Sequence, residues 1–128
     1  MSMISLGKSM KIVVSPNQRF LMREDGTSFF YLADTAWEMF HRLTYEEADA
    51  FMKTRTEQGF NVLQVMVLEE HDGLDVPSVS GHTALIDHDP TRPNEAYFAH
   101  IDRVVRRANE LGLVIAMLPT WGDKWNKK

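Results

Sequence analysis

The sequence predicts an α/β protein in which a β-hairpin precedes a parallel sheet. Two apolar runs, residues 61–68 and 113–118, show almost no polar alternation, as expected of parallel strands that are covered on both faces. Each run follows a segment with helical spacing of apolar residues that ends at a glycine, Gly59 or Gly112. This alternation of helices and strands is typical of right-handed βαβ units.

The hairpin is predicted by Asp25 and Gly26, a typical turn signal between two short apolar segments. Glycine accepts the positive φ that a tight hairpin turn requires. The turn would join a strand at residues 19–22 to a second strand over residues 29–34.

Two capping boxes predict where helices begin. In this motif a threonine hydroxyl and a glutamate carboxylate, three residues apart, satisfy backbone donors of the first helical turn. Thr35 with Glu38 predicts a helix start directly after the second strand. Thr44 with Glu47 predicts a helix over residues 44–58.

A third helix is predicted by an apolar stripe that Gly112 ends. The members of the stripe recur at helical spacing: Tyr97, Phe98, Ile101, Val104, Val105, Ala108 and Leu111. The strand at residues 113–118 follows directly, as a βαβ unit requires.

A long segment at residues 69–93 lies between the strand at residues 61–68 and the third helix. Structureless loops of this length are uncommon in compact domains and are usually functional. The segment also follows the carboxyl end of a strand, where α/β sheets and barrels have their functional sites.

The same segment contains residues of the types that bind metals: His71, Asp72, Asp75, His82, Asp87, His88 and Asp89. None stands at a tight His-x-His or His-x-x-x-His spacing, so we expect no metal and no other cofactor. Asp87 and Asp89 are interpreted instead as turn residues that precede the third helix.

Composition limits the classes of protein that the chain can represent. Its 128 residues are 44% hydrophobic, which suits one domain or part of one. The net charge of -4 argues against a nucleic-acid partner, because phosphate-binding surfaces need a basic excess. The absence of cysteine excludes disulfides and thiolate chemistry. No apolar stretch resembles a signal peptide or a membrane span, so we expect a cytoplasmic protein without a membrane partner.

Polar and tryptophan side chains follow each of three predicted strands. The candidate residues are Asp34 and Trp37 after the first strand, Glu70 and His71 after the second, and Trp121 and Asp123 after the third. An indole face can stack on the C–H face of a sugar, and carboxylates accept hydroxyl protons. The carboxyl ends of parallel strands meet at one edge of a sheet, so the pattern predicts a carbohydrate site there.

Side-chain alternation assigns the two glutamates to opposite faces of the second strand. The even-numbered residues from Gln64 to Glu70 share one face, and the odd-numbered residues from Leu63 to Glu69 share the other. The odd-numbered, valine-rich face suits packing on helices. Glu70 is therefore predicted to point into the mouth of a barrel and Glu69 toward the helix layer.

Structural interpretations of the same residues remain open at this level. Asp34 and Thr35 suit helix caps as well as a substrate contact. Trp37 follows its strand on a helical turn, which suits a core position. Glu70 and His71 could lie in a solvated loop, whereas the glycine and charges beside Trp121 leave its indole little chance of helical burial.

Three segments carry a family resemblance that covers about residues 17–126: LADTAWEMF, DPTRPNEAYF and LPTWGDKW. With them the chain resembles the amino-terminal part of the apiosidase-like glycoside hydrolases. These are (β/α)8 TIM-barrel proteins, some of which cleave the apiose linkage in pectic side chains. The resemblance implies an amino-terminal extension at residues 1–16, followed at 17–128 by the first three strand-helix units of the barrel.

The resemblance also implies a function. The six candidate residues would form part of the sugar-binding wall of a glycoside hydrolase that acts on plant pectic side chains. In barrels of this kind the catalytic carboxylates usually follow the fourth and seventh strands, so no catalytic residue is assigned. We expect the 128-residue chain alone to lack turnover. Members of the family tend to be exported or periplasmic, which differs from the cytoplasmic expectation.

An incomplete barrel leads to a further expectation about assembly. A barrel closes with eight strands, so three strands would leave Phe30, Leu32, Met66 and Leu68 on an uncovered inner face. The alternative to a hydrolase is therefore a non-catalytic carbohydrate-binding module that assembles with further copies to cover this face. A homo-oligomer that buries the open barrel face is compatible with either function.

Overall fold

The structure, a computed structural model, describes residues 11–125 of the chain. Its elements follow in the order β1 (Ile12–Val14), β2 (Leu21–Arg23), β3 (Ala33–Thr35), α1 (Met39–Arg42), α2 (Tyr45–Glu57), β4 (Val62–Met66), α3 (Glu95–Glu110), β5 (Val114–Leu118) and α4 (Gly122–Trp125). β1 and β2 form an antiparallel pair, and β3, β4 and β5 form a three-stranded parallel sheet in that order. The predicted α/β class is confirmed. Between residues 11 and 125, no helix combines the length and apolar character needed to cross a membrane.

The helix-side face of β4 anchors the parallel sheet to α2 and α3. Leu63 and Val65 are fully buried in the main core, and Val67 packs against it. The core consists of Met39, Phe40, Ala48, Met52, Leu63, Val65, Ala84, Tyr97, Ile101, Val104, Ala108 and Leu113. Burial of each large apolar side chain stabilises the fold by about 1.5–3 kcal/mol. The predicted packing of the valine-rich face on the helices is confirmed.

The capping box that begins α2 is present as predicted. The Thr44 hydroxyl accepts a hydrogen bond from the Glu47 backbone N–H, and the Glu47 carboxylate accepts one from the Thr44 N–H at 2.9 Å. The helix ends just before Gly59, whose φ of 90° lies in the left-handed region that favours glycine. Both predicted ends of this helix are therefore confirmed to within a residue.

The stripe of α3 also lies where the sequence predicts it. Asn94 caps the helix by accepting a hydrogen bond from the Ala96 N–H at 3.2 Å. The buried residues of the helix are Tyr97, Ile101, Val104 and Ala108, all members of the predicted stripe. The Tyr97 hydroxyl donates to the Val67 carbonyl at 2.5 Å, which joins the start of α3 to the chain leaving β4.

The predicted hairpin turn at Asp25-Gly26 is present: the Arg23 N–H donates to the Thr27 carbonyl and the Phe29 N–H to the Leu21 carbonyl, each at 2.8 Å, and a bridge joins Met22 to Ser28. The strand partner of β2 is nevertheless β1, which the sequence did not predict. The cause lies in a turn before β2, where the buried Ser15 hydroxyl accepts from the N–H groups of Arg19 and Phe20, each at 3.2 Å. This turn directs residues 12–14, part of the predicted extension, onto β2; residues 1–10 lie outside the described residues.

The first predicted capping box is also wrong. Thr35 is the last residue of β3, where it pairs with Gln64, and a turn of three residues separates it from α1. Glu38 stands at the N-cap of α1 without a side-chain cap hydrogen bond. Sheet pairing therefore displaces the local capping signal, because a strand residue cannot also start the helix.

The inner face of the sheet differs from the expectation in two of its four residues. Phe30 is 78% exposed and Leu32 38% exposed, as expected, but Met66 is only 1% exposed. Leu68 packs against the helix-side core. For Leu68 the reason is that β4 ends at Met66, so strict side-chain alternation does not continue to residue 68.

The long segment at residues 69–93 is partly ordered by its own hydrogen bonds. A single 3-10 turn spans Ile86–His88, and an isolated bridge joins Leu85 to Pro93. The Val79 N–H donates to the His41 carbonyl at 2.7 Å. The segment therefore folds back onto α1 at the carboxyl edge of the sheet.

Candidate functional site

Three of the six predicted site residues meet at the carboxyl edge of the parallel sheet. The indole N–H of Trp37 donates a hydrogen bond to Oε2 of Glu70 at 2.8 Å. The Trp37 and Trp121 rings meet edge to face, with centroids 4.9 Å apart and an interplanar angle of 82°. We call Trp37, Glu70 and Trp121 the rim cluster. It joins side chains that follow β3, β4 and β5.

The backbone holds the segments after these strands close together. The Met66 N–H donates to the Trp37 carbonyl at 3.1 Å, which extends the contact of β4 with the chain leaving β3. On the other side, the Leu68 N–H donates to the Pro119 carbonyl at 3.2 Å. The rim cluster therefore stands on backbone that continues the sheet.

Exposure within the rim cluster leaves one aromatic surface open to solvent. Trp121 is 45% exposed, whereas Trp37 and Glu70 are partly buried. The edge-to-face contact uses only part of the Trp121 ring, and such aromatic pairs contribute about 0.5–1.5 kcal/mol beyond burial. The arrangement fixes two tryptophans and a carboxylate at one place while leaving an indole surface accessible.

Lys124 braces the second strand end, a role that the sequence prediction missed. Its side chain is 11% exposed, and its ammonium donates to the Glu69 carbonyl and, at 3.3 Å, to the Glu70 carbonyl. It also pairs with the Asp123 carboxylate at 2.9 Å. Asp123 thus lies beside the rim cluster, engaged with Lys124. Lys124 follows Gly122 by two residues, and a cation so close to a strand end was the signal from which this contact could have been predicted.

Asp34 lies on the other face of the sheet. It pairs in register with Leu63, whose side chain belongs to the helix-side core, and residues opposed in this way share a face. Its carboxylate forms an ion pair with Arg55 of α2, and the Arg55 guanidinium lies 4.5 Å from the centre of the Phe51 ring. The structure does not bring Asp34 to the rim cluster.

Glu69 and His71 also lie apart from the rim cluster. Glu69 is 2% exposed and lies toward α1 and α3, on the helix side that alternation predicts for it. Its negative charge and burial raise the pKa of Tyr97 to about 12, with burial the larger cause. His71 is exposed and lines a cavity together with Glu69, His41 and Arg42.

Asp87 and Asp89 of the long segment form interactions within its own turns. Asp89 accepts hydrogen bonds from the Thr91 N–H at 2.9 Å and the Thr91 hydroxyl at 2.7 Å. Asp87 pairs with Arg92 at 2.7 Å. Their predicted role in the turn before α3 is confirmed. Across residues 11–125, no three His, Asp or Glu side chains are grouped as a metal site would require.

Solved structures with a similar fold show the class of protein to which the chain is related. A solved glycoside hydrolase is 32% identical over a match that covers 88% of this chain and 26% of that one, with a TM-score of 0.75. A glycoside hydrolase of family 5 from Bacteroides vulgatus ATCC 8482 is 29% identical, covering 84% and 24%, with a TM-score of 0.71. The chain is glycoside hydrolase-like, and its sheet is a partial (β/α)8 barrel, as predicted.

A more distant match shows the same fold. A family 5 mannosidase from Rhizomucor miehei is 15% identical, with a TM-score of 0.60 and coverage of 84% of this chain and 27% of that one. The chain thus spans about a quarter of the length of the solved structures it matches. The sequence comparison with curated proteins gave no significant match.

The family follows from the sequence profile of the apiosidase-like catalytic domain, which matches residues 15–128. The chain belongs to this apiosidase-like family. The matched range contains β3, β4 and β5, and with them all three residues of the rim cluster.

Proposed function

We propose that this chain forms part of the sugar-binding cleft of a glycoside hydrolase that acts on plant pectic side chains. The observation that supports the proposal most is the rim cluster, in which Trp37, Glu70 and Trp121 come from three different strand ends. In (β/α)8 barrels the substrate site lies at this face. The pectic substrate class is implied by the resemblance to apiosidase-like proteins.

The chemistry of the rim cluster suits a neutral sugar. The exposed part of the Trp121 indole offers a surface on which sugar C–H groups can pack. Oε2 of Glu70 is used by Trp37, whereas Oε1 accepts no hydrogen bond from the described residues and can accept one from a sugar hydroxyl. The Trp37 hydrogen bond holds the Glu70 carboxylate in place, which lowers the cost of ordering it when sugar binds.

We propose further that the 128-residue chain binds sugar without hydrolysing it. Glycoside hydrolysis uses two carboxyl groups about 5–5.5 Å apart in retaining enzymes or about 6.5–9.5 Å apart in inverting enzymes. Glu38 and Glu69 both lie near the Arg42 guanidinium of α1, on the helix side of the sheet and away from the rim cluster. Glu70 is the carboxylate of the rim cluster, and it has a tryptophan as its partner.

Calorimetric titration of the purified chain with an apiose-containing pectic oligosaccharide tests the proposal. We expect Trp121→Ala and Glu70→Gln each to weaken binding about tenfold or more, since each removes a stacking surface or a hydrogen bond to a charged group. Phe30→Ala is the matched control, because Phe30 is an exposed aromatic residue that precedes β3 at the other edge of the sheet. Equal loss in the control, or unchanged binding in both site variants, would contradict the proposal.

A parallel assay tests the absence of turnover. The same protein is incubated with aryl glycosides, and release of the aryl group is followed by absorbance. We expect no release above the buffer rate. Robust hydrolysis that Glu70→Gln abolishes would show that the chain carries its own catalytic carboxylates.

The alternative function is a non-catalytic carbohydrate-binding module that assembles with further copies of itself. The exposed run Phe30-Tyr31-Leu32 favours it, with exposures of 78%, 49% and 38%. Multi-angle light scattering at micromolar concentration separates the two. A dimer or larger species that Phe30→Ser converts to a monomer supports assembly, and a monomeric wild-type chain contradicts it.

A further inference from the structure

Two polar side chains lie on the inner face of the parallel sheet, the face turned away from α2 and α3. Thr35 of β3 pairs in register with Gln64 of β4, so the two side chains share a face. Leu63 and Val65, which flank Gln64 in β4, belong to the helix-side core. Successive side chains of a strand point to opposite faces. Gln64, and Thr35 with it, therefore point to the inner face.

Solvent reaches Gln64 although its neighbours on the same face are covered. Val62 and Met66 are fully buried, whereas Gln64 between them is only partly buried. Within residues 11–125 the Gln64 amide makes no hydrogen bond, and the buried side-chain polar atoms that lack a partner there belong to other residues. The amide oxygen and nitrogen of Gln64 are therefore accessible to a ligand.

The Thr35 hydroxyl is the second hydrogen-bonding group of this face. Thr35 is exposed at the end of β3, and its hydroxyl makes no hydrogen bond with any of residues 11–125. On the other side of Gln64 the register partner is Ala116 of β5, whose methyl group leaves room beside the amide. Neighbouring strands are about 4.8 Å apart, so one ligand can contact both Thr35 and Gln64. We call Thr35 and Gln64 the polar pair.

The polar pair lies below the rim cluster, within the reach of one oligosaccharide. The Ala36 N–H donates to the Gln64 carbonyl at 3.0 Å, and the Met66 N–H donates to the Trp37 carbonyl at 3.1 Å, so the two chains stay paired up to Trp37. Trp37 follows Thr35 by two residues, which corresponds to about 7 Å of extended chain. Trp37 is partly buried, yet it does not pack against the helix-side core formed by residues 39–113. A sugar chain that contacts Trp37 can therefore also reach the polar pair.

The residues of the inner face favour a neutral ligand that carries hydroxyl groups. Apart from the polar pair, the inner-face residues of β3, β4 and β5 are alanine, valine, methionine and leucine. Over these three strands the face thus carries no charged side chain that could balance an anion or a cation. The Gln64 amide donates through its nitrogen and accepts through its oxygen, and the Thr35 hydroxyl can do both. A sugar hydroxyl offers the matching donor and acceptor.

We propose that the polar pair is a specificity-determining part of the sugar cleft, in which Thr35 and Gln64 hydrogen-bond the hydroxyl groups of a neutral sugar unit. The proposal rests on the proposed function, because the rim cluster brings the sugar chain to this face. The Glu70 carboxylate at the rim and the uncharged inner face together disfavour an anionic unit at the same place. The cleft therefore accepts neutral sugar units in preference to uronate units.

Titration of the ¹⁵N-labelled 128-residue protein with a neutral, apiose-containing pectic oligosaccharide, followed by ¹H–¹⁵N NMR, tests the proposal. The Gln64 side-chain NH2 group gives its own pair of resonances. We expect them to shift and to saturate together with the indole N–H resonances of Trp37 and Trp121. An oligogalacturonate of similar length should bind several-fold more weakly. Unshifted Gln64 side-chain resonances at saturation, or tighter binding of the oligogalacturonate, overturn the proposal.

Substitutions of similar volume identify the groups involved. Gln64→Met removes the amide, and Thr35→Val removes the hydroxyl. Each should weaken binding about three- to tenfold, which is the effect of losing one hydrogen bond between uncharged groups. Gln58→Met is the matched control and should bind as the wild-type chain does, because Gln58 is exposed beyond the end of α2. Thr35→Ser keeps the hydroxyl and should restore most of the affinity that Thr35→Val loses.

The same measurements separate this proposal from the proposed function. Shifts of both indole resonances with fixed Gln64 side-chain resonances would overturn the role of the polar pair while supporting the cleft. Shifts of the Gln64 resonances with fixed indole resonances would support the polar pair and count against the rim cluster. Absence of binding in every titration overturns both. Thr35 is exposed, so Thr35→Val keeps the affinity test valid if Gln64→Met does not fold.

Discussion

Trp37 and Glu70 lie 33 positions apart in the sequence, yet the indole N–H of one donates to the carboxylate of the other at 2.8 Å. The bond joins the chain that leaves β3 to the chain that leaves β4, and Trp121 completes the group from the chain that leaves β5. One hydrogen bond and one ring contact thus convert three separate strand ends into a single surface.

The Trp37 hydrogen bond should contribute both to stability and to binding. Trp37→Phe keeps an aromatic ring but removes the donor, and hydrogen bonds to charged groups are worth about 1.5–3 kcal/mol. Since Trp37 and Glu70 are only partly buried, we expect a loss of about 1 kcal/mol in the free energy of unfolding, measured by urea denaturation. Sugar affinity should fall as well, because Glu70 loses its orientation. Phe98→Leu, on α3, is a control for general loss of aromatic packing. An unchanged unfolding midpoint and unchanged affinity in Trp37→Phe would show that the bond does not form in solution.

The Asp34–Arg55 ion pair is predicted to hold α2 to the sheet and not to contact sugar. The two side chains are 29% and 27% exposed, so the pair is partly shielded from water. We expect Asp34→Asn to destabilise the fold by about 1 kcal/mol and to leave oligosaccharide affinity unchanged. A double-mutant cycle with Arg55→Gln measures the coupling between the two side chains. Loss of affinity without loss of stability would restore Asp34 to the substrate site.

The capping box of α2 should stabilise the helix independently of any ligand. Thr44→Ala removes the hydroxyl that accepts from the Glu47 N–H, and loss of such a cap costs about 1 kcal/mol. Thr54→Ala is the matched control, because the Thr54 hydroxyl bonds the Ala50 carbonyl within the same helix. Thermal unfolding followed by circular dichroism should show a lower midpoint for Thr44→Ala alone. Equal midpoints for the two variants would contradict the assignment of the cap.

Stability should depend on pH through His41. Burial lowers its pKa below the ordinary value of 6.5, so the unfolded state binds the proton more readily than the folded state. The stabilising contribution of neutral His41 is therefore complete above pH 6.5 and is lost as the pH falls through the lower folded value. Glu38 acts with the opposite sign, because its raised pKa favours proton uptake by the folded state.

Urea titrations of the wild-type chain and His41→Gln at several pH values isolate this effect. The difference in unfolding free energy between the two proteins should shrink as the pH falls below 6.5. A difference that is constant with pH, or that grows toward acid, would contradict the stated direction of the His41 shift.

Features of the sequence with strong local signals predict the structure well. The capping box at Thr44, the left-handed residue Gly59 and the apolar stripe of α3 each depend on residues within one or two helical turns. Alternation along β4 likewise predicts that Leu63 and Val65 pack on the helices. In these cases local chemistry and the tertiary fold favour the same conformation.

Other features depend on contacts between distant residues. Thr35 carries a capping signal, but pairing with Gln64 keeps it in β3. Asp34 faces α2 because its register with Leu63 sets its direction, and the sequence does not contain that register. The position of Glu38 and Glu69 on either side of Arg42 depends on the path of the chain after β4. The Ser15 turn had a local signal, the Ser-Pro-Asn sequence at residues 15–17, that indicates a turn before β2.

The rim cluster is the proposed sugar-binding surface, and the indole N–H resonances of Trp37 and Trp121 report on it directly. In a ¹H–¹⁵N titration of the chain with an apiose-containing pectic oligosaccharide, we expect both resonances to shift and to saturate together. If both stay fixed while the oligosaccharide saturates its binding elsewhere, or if no binding occurs, the rim cluster is not part of a sugar site.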